Sequence, residues 1–264
     1  MNIQLLVIDP QKDFCDPSGS LFVQGADQDM SRLAAMVNRL RTKIDGIHVT
    51  LDSHLEVDVA HPIFWTNSKG EHPTPFTIIS KDDVVNGTWT TTIPAVRQRA
   101  VDYVTQLEDN ARYPLCVWPP HCIIGSNGYA ITDSLADALK EWSLARLRNV
   151  NYVTKGSNPF TEHYSAVQAD VPDPSDASTM LNSPLLEMLA KADVILISGE
   201  ALSHCVANTI RDVANNFGDE NIKKFVLLKD TSSNVTGFDN LGDDFINEMT
   251  GRGMKVATSV DYLI

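Results

Sequence analysis

Short runs of apolar residues alternate along this chain with longer stretches whose apolar positions recur every three or four residues. Residues 3–8 are almost continuously apolar and are closed by Asp9-Pro10, the pattern of a strand buried on both faces. Residues 27–43 then place Met30, Leu33, Val37 and Leu40 on one face of an amphipathic helix. Further strands are predicted at 46–51, 113–118, 151–154, 194–197 and 225–228, and residues 255–260 are compatible with a short final one. Helices are predicted at 94–108, 133–147, 184–191 and 241–251, with another where Val206, Ile210 and Val213 recur at helical spacing.

This alternation predicts an α/β chain: a doubly wound, mostly parallel six-stranded sheet with helices on both faces. No repeat or linker interrupts it, so residues 1–264 read as one domain. Two stretches break the rhythm. Residues 53–92, rich in Pro, Thr, Asn and His, and residues 157–183 read as long insertions, and loops of that length are more often functional than idle.

Charge narrows the range of partners. The 264 residues hold 34 Asp and Glu against 21 Lys and Arg, a net charge of -13. Such a surface repels phosphate backbones and anionic lipid, which argues against nucleic-acid and membrane binding. No apolar segment approaches a membrane span or a signal-peptide core. The four cysteines (Cys15, Cys116, Cys122 and Cys205) are too few for a disulfide scaffold, and none form a CxxC pair. The expectation is a cytoplasmic protein with reduced thiols.

In a doubly wound sheet, ligands bind beyond the carboxyl ends of the strands. The polar residues just past the predicted ends are Asp9, Asp52 with His54, His121, Lys155 and Cys205, each from a different strand. Cys205 sits where a strand turns into a helix, and the free N–H groups and dipole there favour a thiolate. Taken alone, a cysteine in that place usually just packs. Asp52 and His54, with His61 and His121 in following loops, offer one carboxylate and several imidazoles, which suits zinc, iron or manganese. Asp9, Lys155 and Cys205 are a carboxylate, a cation and a thiol, and a thiol beside a base can become a nucleophile. His204 is expected to be structural, because neighbours on a turn point apart. Cys15, Cys116 and Cys122 are expected to pack, and His163 and Tyr164 to line the pocket.

The pieces Asp9-Pro-Gln-Lys-Asp-Phe14-Cys15, Asp52-Ser-His54, Trp118-Pro-Pro-His121-Cys122, Lys155-Gly156 and Gly199-Glu-Ala-Leu-Ser-His-Cys205-Val resemble the isochorismatase-like cysteine hydrolases, and within them the nicotinamidases. The resemblance implies a catalytic triad of Asp9, Lys155 and Cys205, with the backbone N–H groups of Ala201 and Cys205 as oxyanion hole. It implies a divalent metal, zinc first, on Asp52, His54 and His121. The fourth ligand is open among His61, His72 and water. It places Phe14 and Trp118 against the substrate ring and a cis peptide at Glu200–Ala201. It also implies a homo-oligomer acting on a small-molecule amide, nicotinamide in the first instance. Lys155 is expected to help keep Cys205 ionised. Two other readings remain open here. One is a hydrolase of the same fold acting on another small amide or a carbamoyl compound. The other is a non-catalytic metal-binding or interaction domain.

Overall fold

The apolar run at the N-terminus forms β1 (Ile3–Ile8), with five of its six residues buried. In the computed structural model, which describes residues 1–262, the chain continues through α1 (Lys12–Cys15), α2 (Ala26–Leu40) and β2 (Gly46–Asp52). The first insertion carries β3 (Trp65–Thr66), β4 (Ile78–Ile79), α3 (Lys81–Val85) and β5 (Thr90–Thr91). Next come α4 (Arg97–Asp109), β6 (Leu115–Cys116), α5 (Asp133–Arg146), β7 (Asn151–Lys155), α6 (Ser183–Ala190) and β8 (Val194–Gly199). The chain then runs through α7 (Ala207–Phe217), α8 (Asp219–Ile222), β9 (Phe225–Leu228), α9 (Asp239–Gly251) and β10 (Lys255–Ala257).

The main sheet has the order β10-β9-β8-β1-β2-β7, and every pairing in it is parallel. From β1 the chain winds outward to β2 and β7, then crosses back to β8 and winds the other way. The switch point therefore lies between β1 and β8, where a parallel sheet opens a crevice for ligands. Helices flank the sheet in two sets, α2 packed on α5 and α7 packed on α6, α8 and α9. Gly199 ends β8 at φ 118°, and a Cβ there would overlap the backbone of Ile8. Only glycine lets the ends of the two switch-point strands approach this closely. No helix among the described residues is long and apolar enough to cross a membrane.

One strand assignment is corrected. Residues 113–118 were expected in the central sheet, but only Leu115–Cys116 is extended, and it pairs antiparallel with β4 outside that sheet. The sixth central strand is β10 instead. The physical reason is a second apolar core. Val59, Phe64, Trp65, Ile79 and Val84 of the insertion pack against Tyr103, Leu107, Leu115 and Val117. Trp65 is fully buried there, its indole N–H donating to the carbonyl of Val59 at 2.7 Å. The first insertion is thus a packed layer, and the loop reading of 53–92 holds only for its connections.

β2 also carries a buried pH-sensitive group, His48. Asn151 Nδ2 lies 3.0 Å from its Nδ1, and its Nε2 lies 3.0 Å from Gln4 Oε1, so the neutral ring fits with Nε2–H donating. Burial lowers its pKa to about 4. The unfolded chain takes up this proton near pH 6.5, while the folded ring stays neutral. Stability from this group is therefore complete above pH 6.5 and is lost as the pH falls from there towards 4. Across that window, His48→Gln should flatten the slope of unfolding free energy against pH by about 1.4 kcal/mol per unit. Urea melts at stepped pH check this, and an unchanged slope would contradict it.

Candidate active site

The side chains gather at the carboxyl ends of β8, β1, β2 and β7. Asp9 follows β1 in the left-handed region at φ 45°, where an L-residue is uncommon. Thr50 of β2 holds it there twice. Its hydroxyl donates to Asp9 Oδ1 at 2.5 Å, and the Asp9 N–H donates to Thr50 Oγ1 at 3.0 Å. Lys155 closes β7 opposite Asp52 in the register. Its ammonium lies 2.9 Å from Asp9 Oδ2, 3.0 Å from Asp52 Oδ1 and 3.7 Å from Cys205 Sγ. It also donates to the carbonyl of His163 at 2.9 Å.

Cys205 sits in a wide π-helical turn, Leu202–Val206, that leads into α7. Turns of this kind are rare and concentrate at functional sites. The Glu200–Ala201 peptide just before it is cis. Both the His204 and Val206 N–H groups donate to the carbonyl of Ala201. The Ala201 N–H has no hydrogen-bond acceptor among the described residues. The turn is pinned to the loop after β9, because the Leu202 N–H donates to Ser233 O at 2.8 Å and the Ser233 N–H to Glu200 Oε2 at 3.0 Å.

Electrostatics here follow from burial. Burial raises the pKa of Asp9 above the usual carboxylate value, against the pull of Lys155. Burial works to lower Lys155, but Asp52 and Asp9 outweigh it and hold the ammonium well above its ordinary value. For Cys205 burial is the largest influence and pushes the thiol well above its ordinary value. Lys155 opposes that rise, while Asp9 and Asp52 add to it. The help expected from Lys155 is therefore present at Cys205, with burial working against it.

Beside this trio, ligand atoms of Asp52, His54 and His121 lie within 4.8 Å of one another. Asp52 Oδ2 is 3.2 Å from His54 Nε2 and 3.4 Å from His121 Nε2. The His61 ring lies 5.2 Å from His54 and 5.5 Å from His121, and its buried Nε2 has no partner. Nδ1 meets a carbonyl acceptor in two of them, Glu56 O at 3.4 Å for His61 and Pro119 O at 2.9 Å for His121, while His54 Nδ1 lies 3.2 Å from Asp58 Oδ2 outside hydrogen-bonding geometry. Acceptors on Nδ1 leave the Nε2 lone pairs for a common centre, the outer support that metal-bound histidines usually have. The donor set fits a divalent cation. His72 is exposed and its Nδ1 bonds to Trp65 O at 2.6 Å, so it stands apart from this group.

Two links in the loops bring this set together. The Trp118 N–H donates to Ala60 O at 2.7 Å and the His54 N–H to Cys122 O at 3.1 Å, laying segment 118–124 along segment 54–60. His121 therefore arrives from a loop beside the insertion, not from the end of a central strand. Gln11 clamps the backbone of Asp52, accepting from its N–H at 2.7 Å and donating to its carbonyl at 2.7 Å.

A narrow chamber faces Cys205, walled by Phe14, Leu21, Trp118, Tyr164 and Val235 and floored by Asp52 and His121. The Trp118 indole donates to the Tyr164 hydroxyl at 2.9 Å, fixing both rings. His163 lies behind the wall; its ring accepts the Gly156 N–H at 3.2 Å, and burial lowers its pKa to about 3. Cys15, Cys116 and Cys122 are buried free thiols. Three lining residues have no signal in the sequence: Leu21; Glu162, a buried carboxylate 3.9 Å from His54; and Val235, from the loop after β9. His204, expected to be structural, also lines the chamber.

No protein-family model and no curated protein sequence matches the chain. Solved structures do. The nicotinamidase/pyrazinamidase of Acinetobacter baumanii superposes with a TM-score of 0.67 at 21% identity, over 99% of this chain and 98% of that one. The yeast nicotinamidase Pnc1p bound to the inhibitor nicotinaldehyde gives 0.67 at 19% identity, over 97% and 99%. The pyrazinamidase of Pyrococcus horikoshii in complex with zinc gives 0.58 at 18% identity, over 98% and 99%. With its six-stranded parallel sheet and flanking helices, the chain has the α/β fold of these nicotinamidases and pyrazinamidases.

Proposed function

We propose that this protein is a metal-assisted cysteine amidohydrolase that converts nicotinamide to nicotinate and ammonia. The observation that carries the reading is the meeting of Asp9, Lys155 and Cys205 beside a buried imidazole-carboxylate cluster. Asp9, made more basic by burial, takes the proton of Cys205 as the sulfur attacks the carbonyl carbon. The backbone N–H groups of Ala201 and Cys205 receive the oxyanion, and one such donor is typically worth roughly 3–4 kcal/mol. Asp9 returns the proton to the leaving nitrogen as the C–N bond breaks, leaving a thioester and ammonia. Water, deprotonated by Asp9, then cleaves the thioester and restores the thiol. Lys155 neutralises the carboxylates around the sulfur throughout.

Asp52, His54 and His121 would hold the cation, with the His61 ring beside them and its buried Nε2 unpartnered. When bound, it supplies a Lewis-acid contact for the ring nitrogen of the substrate or a water on it. The aromatic and aliphatic wall of Phe14, Leu21, Trp118 and Val235 suits a flat ring, and so favours nicotinamide over a polar carbamoyl compound. Turnover of nicotinamide, read as ammonia release, tests the reading, and a dead enzyme with metal bound would reject it.

Removing the metal has its own expected result. Chelation should abolish turnover and lower the melting temperature, because a ligand at 100 times its Kd stabilises the fold by about 2.7 kcal/mol. His54→Ala should bind less zinc by elemental analysis and lose the chelator-sensitive part of the melt. A melt that ignores chelator would place the cation elsewhere or nowhere.

A further inference from the structure

The mechanism leaves His204 unused, yet its ring stands where two cavities meet. The chamber against Cys205 has a volume of about 20 Å³, room for about one water molecule and far too little for an aromatic ring. His204 and Tyr164 close it on one side. The same two side chains form part of a second cavity of about 390 Å³, which opens outward past Tyr113, Phe238 and Leu241. One layer of side chains thus separates the nucleophile from a cavity large enough for a ring.

The two halves of this partition are held differently. Tyr164 is fixed through its hydroxyl by Trp118, and its backbone N–H donates to Asp170 Oδ2 at 3.2 Å. Among the described residues, the His204 ring makes one hydrogen bond, between Nδ1 and Ser203 Oγ at 2.9 Å. That hydroxyl oxygen accepts the Val235 N–H at 3.1 Å, which leaves its proton for the imidazole. The remaining ring neighbours are aromatic: Phe238 at 5.0 Å, Trp118 at 5.2 Å, Tyr164 at 5.4 Å and Tyr113 at 5.6 Å between centroids. No ion pair anchors the ring, since burial lowers its pKa to about 4 and keeps it neutral.

We propose that His204 is the gate and size filter of the site: its imidazole swings on the Ser203 tether to join the outer cavity to the chamber at Cys205. Substrate enters carboxamide first through the outer cavity. A substituent on the far edge of its ring then lies between Tyr113 and Phe238. The substrate class widens accordingly, from nicotinamide to aromatic carboxamides extended on the side away from the amide. This rests on the amidohydrolase reading for its substrates, but not for its test.

Alkylation of Cys205 measures the gate without any amide. The full-length protein and its His204→Ala and His204→Trp variants are treated with iodoacetamide or bulky N-phenylmaleimide, and the Cys205 peptide is quantified by mass. Removing the imidazole should raise the maleimide rate about tenfold or more relative to iodoacetamide. Tryptophan should slow both reagents. His204→Asn serves in place of alanine if that variant does not fold. With ring-substituted nicotinamides, kcat/KM relative to nicotinamide should rise in the same variant. Equal reagent ratios in wild type and variants would overturn the gate even if nicotinamide is hydrolysed. A shifted ratio in a protein that releases no ammonia would uphold the gate and reject the amidohydrolase reading.

Discussion

Cys205→Ala is expected to lower kcat/KM for ammonia release from nicotinamide by about 10⁴-fold or more, the usual cost of losing a nucleophile. Cys15, Cys116 and Cys122 do not line the chamber that Cys205 lines, and burial raises the pKa of each. Asp9→Asn should cost a similar factor, because the thiol sits well above its ordinary pKa and cannot ionise without that base. In the proposed mechanism base and nucleophile act in one step, so the two losses should not add. Folding should survive the cysteine change, which removes one sulfur from a 6% exposed site. Stopped-time ammonia assays on the two single variants and the double variant check this. Substantial turnover by Cys205→Ala would sink the thioester route.

Lys155→Ala is expected to be the most destabilising single change at the site, by about 3–5 kcal/mol. Lys155 is 3% exposed and its ammonium lies within 3.0 Å of two buried carboxylates, so its removal leaves Asp9 and Asp52 without their shared cation. In a chain of this size the melting temperature should fall by roughly 10 °C. The pH dependence identifies the cause. In the wild type, Asp52 is held well below the usual carboxylate range despite its burial, by His54, Lys155 and His121. That stability is present above the unfolded carboxylate value near 3.9 and is lost as the pH falls through the folded one. Without Lys155 the folded carboxylates bind protons more readily, so the deficit of the variant should be largest near neutrality and shrink on acidification. The folded Lys155 pKa is raised, so its own contribution is present below about 10.4 and is lost as the pH rises through the folded value. A deficit that does not change with pH would mean lost packing, not unpaired charge. Asp9→Asn placed on Lys155→Ala should restore part of the loss, and a double-mutant cycle reads the coupling.

The central sheet was legible because its strands need no partner to declare themselves. Strands buried on both faces, such as residues 3–8 and 194–197, must be apolar throughout, and that pattern is local. Residues 113–118 have the same pattern for a different reason. Leu115 and Val117 face the second core built by the insertion, and an apolar run does not say which core receives it. β10 was harder to see because, as the exposed edge of the sheet, it buries little.

For the site, the sequence by itself determined the residue types and their order at the strand ends: Asp9, Asp52 with His54, Lys155 and Cys205. These depend on strand termini, which periodicity marks. Tertiary structure alone decided the rest. It brought His121 to His54 through backbone hydrogen bonds between two loops, turned His61 back beside His54 within its own loop, and left His72 on the surface. It set Glu162 against the imidazoles and His204 between two cavities. It also decided the surroundings of Cys205. A helix terminus and a lysine argue for a thiolate from sequence, but the desolvation that opposes them exists only once the chain has closed over Cys205. Solvent exclusion is a property of the packed chain, and no local pattern of residues records it.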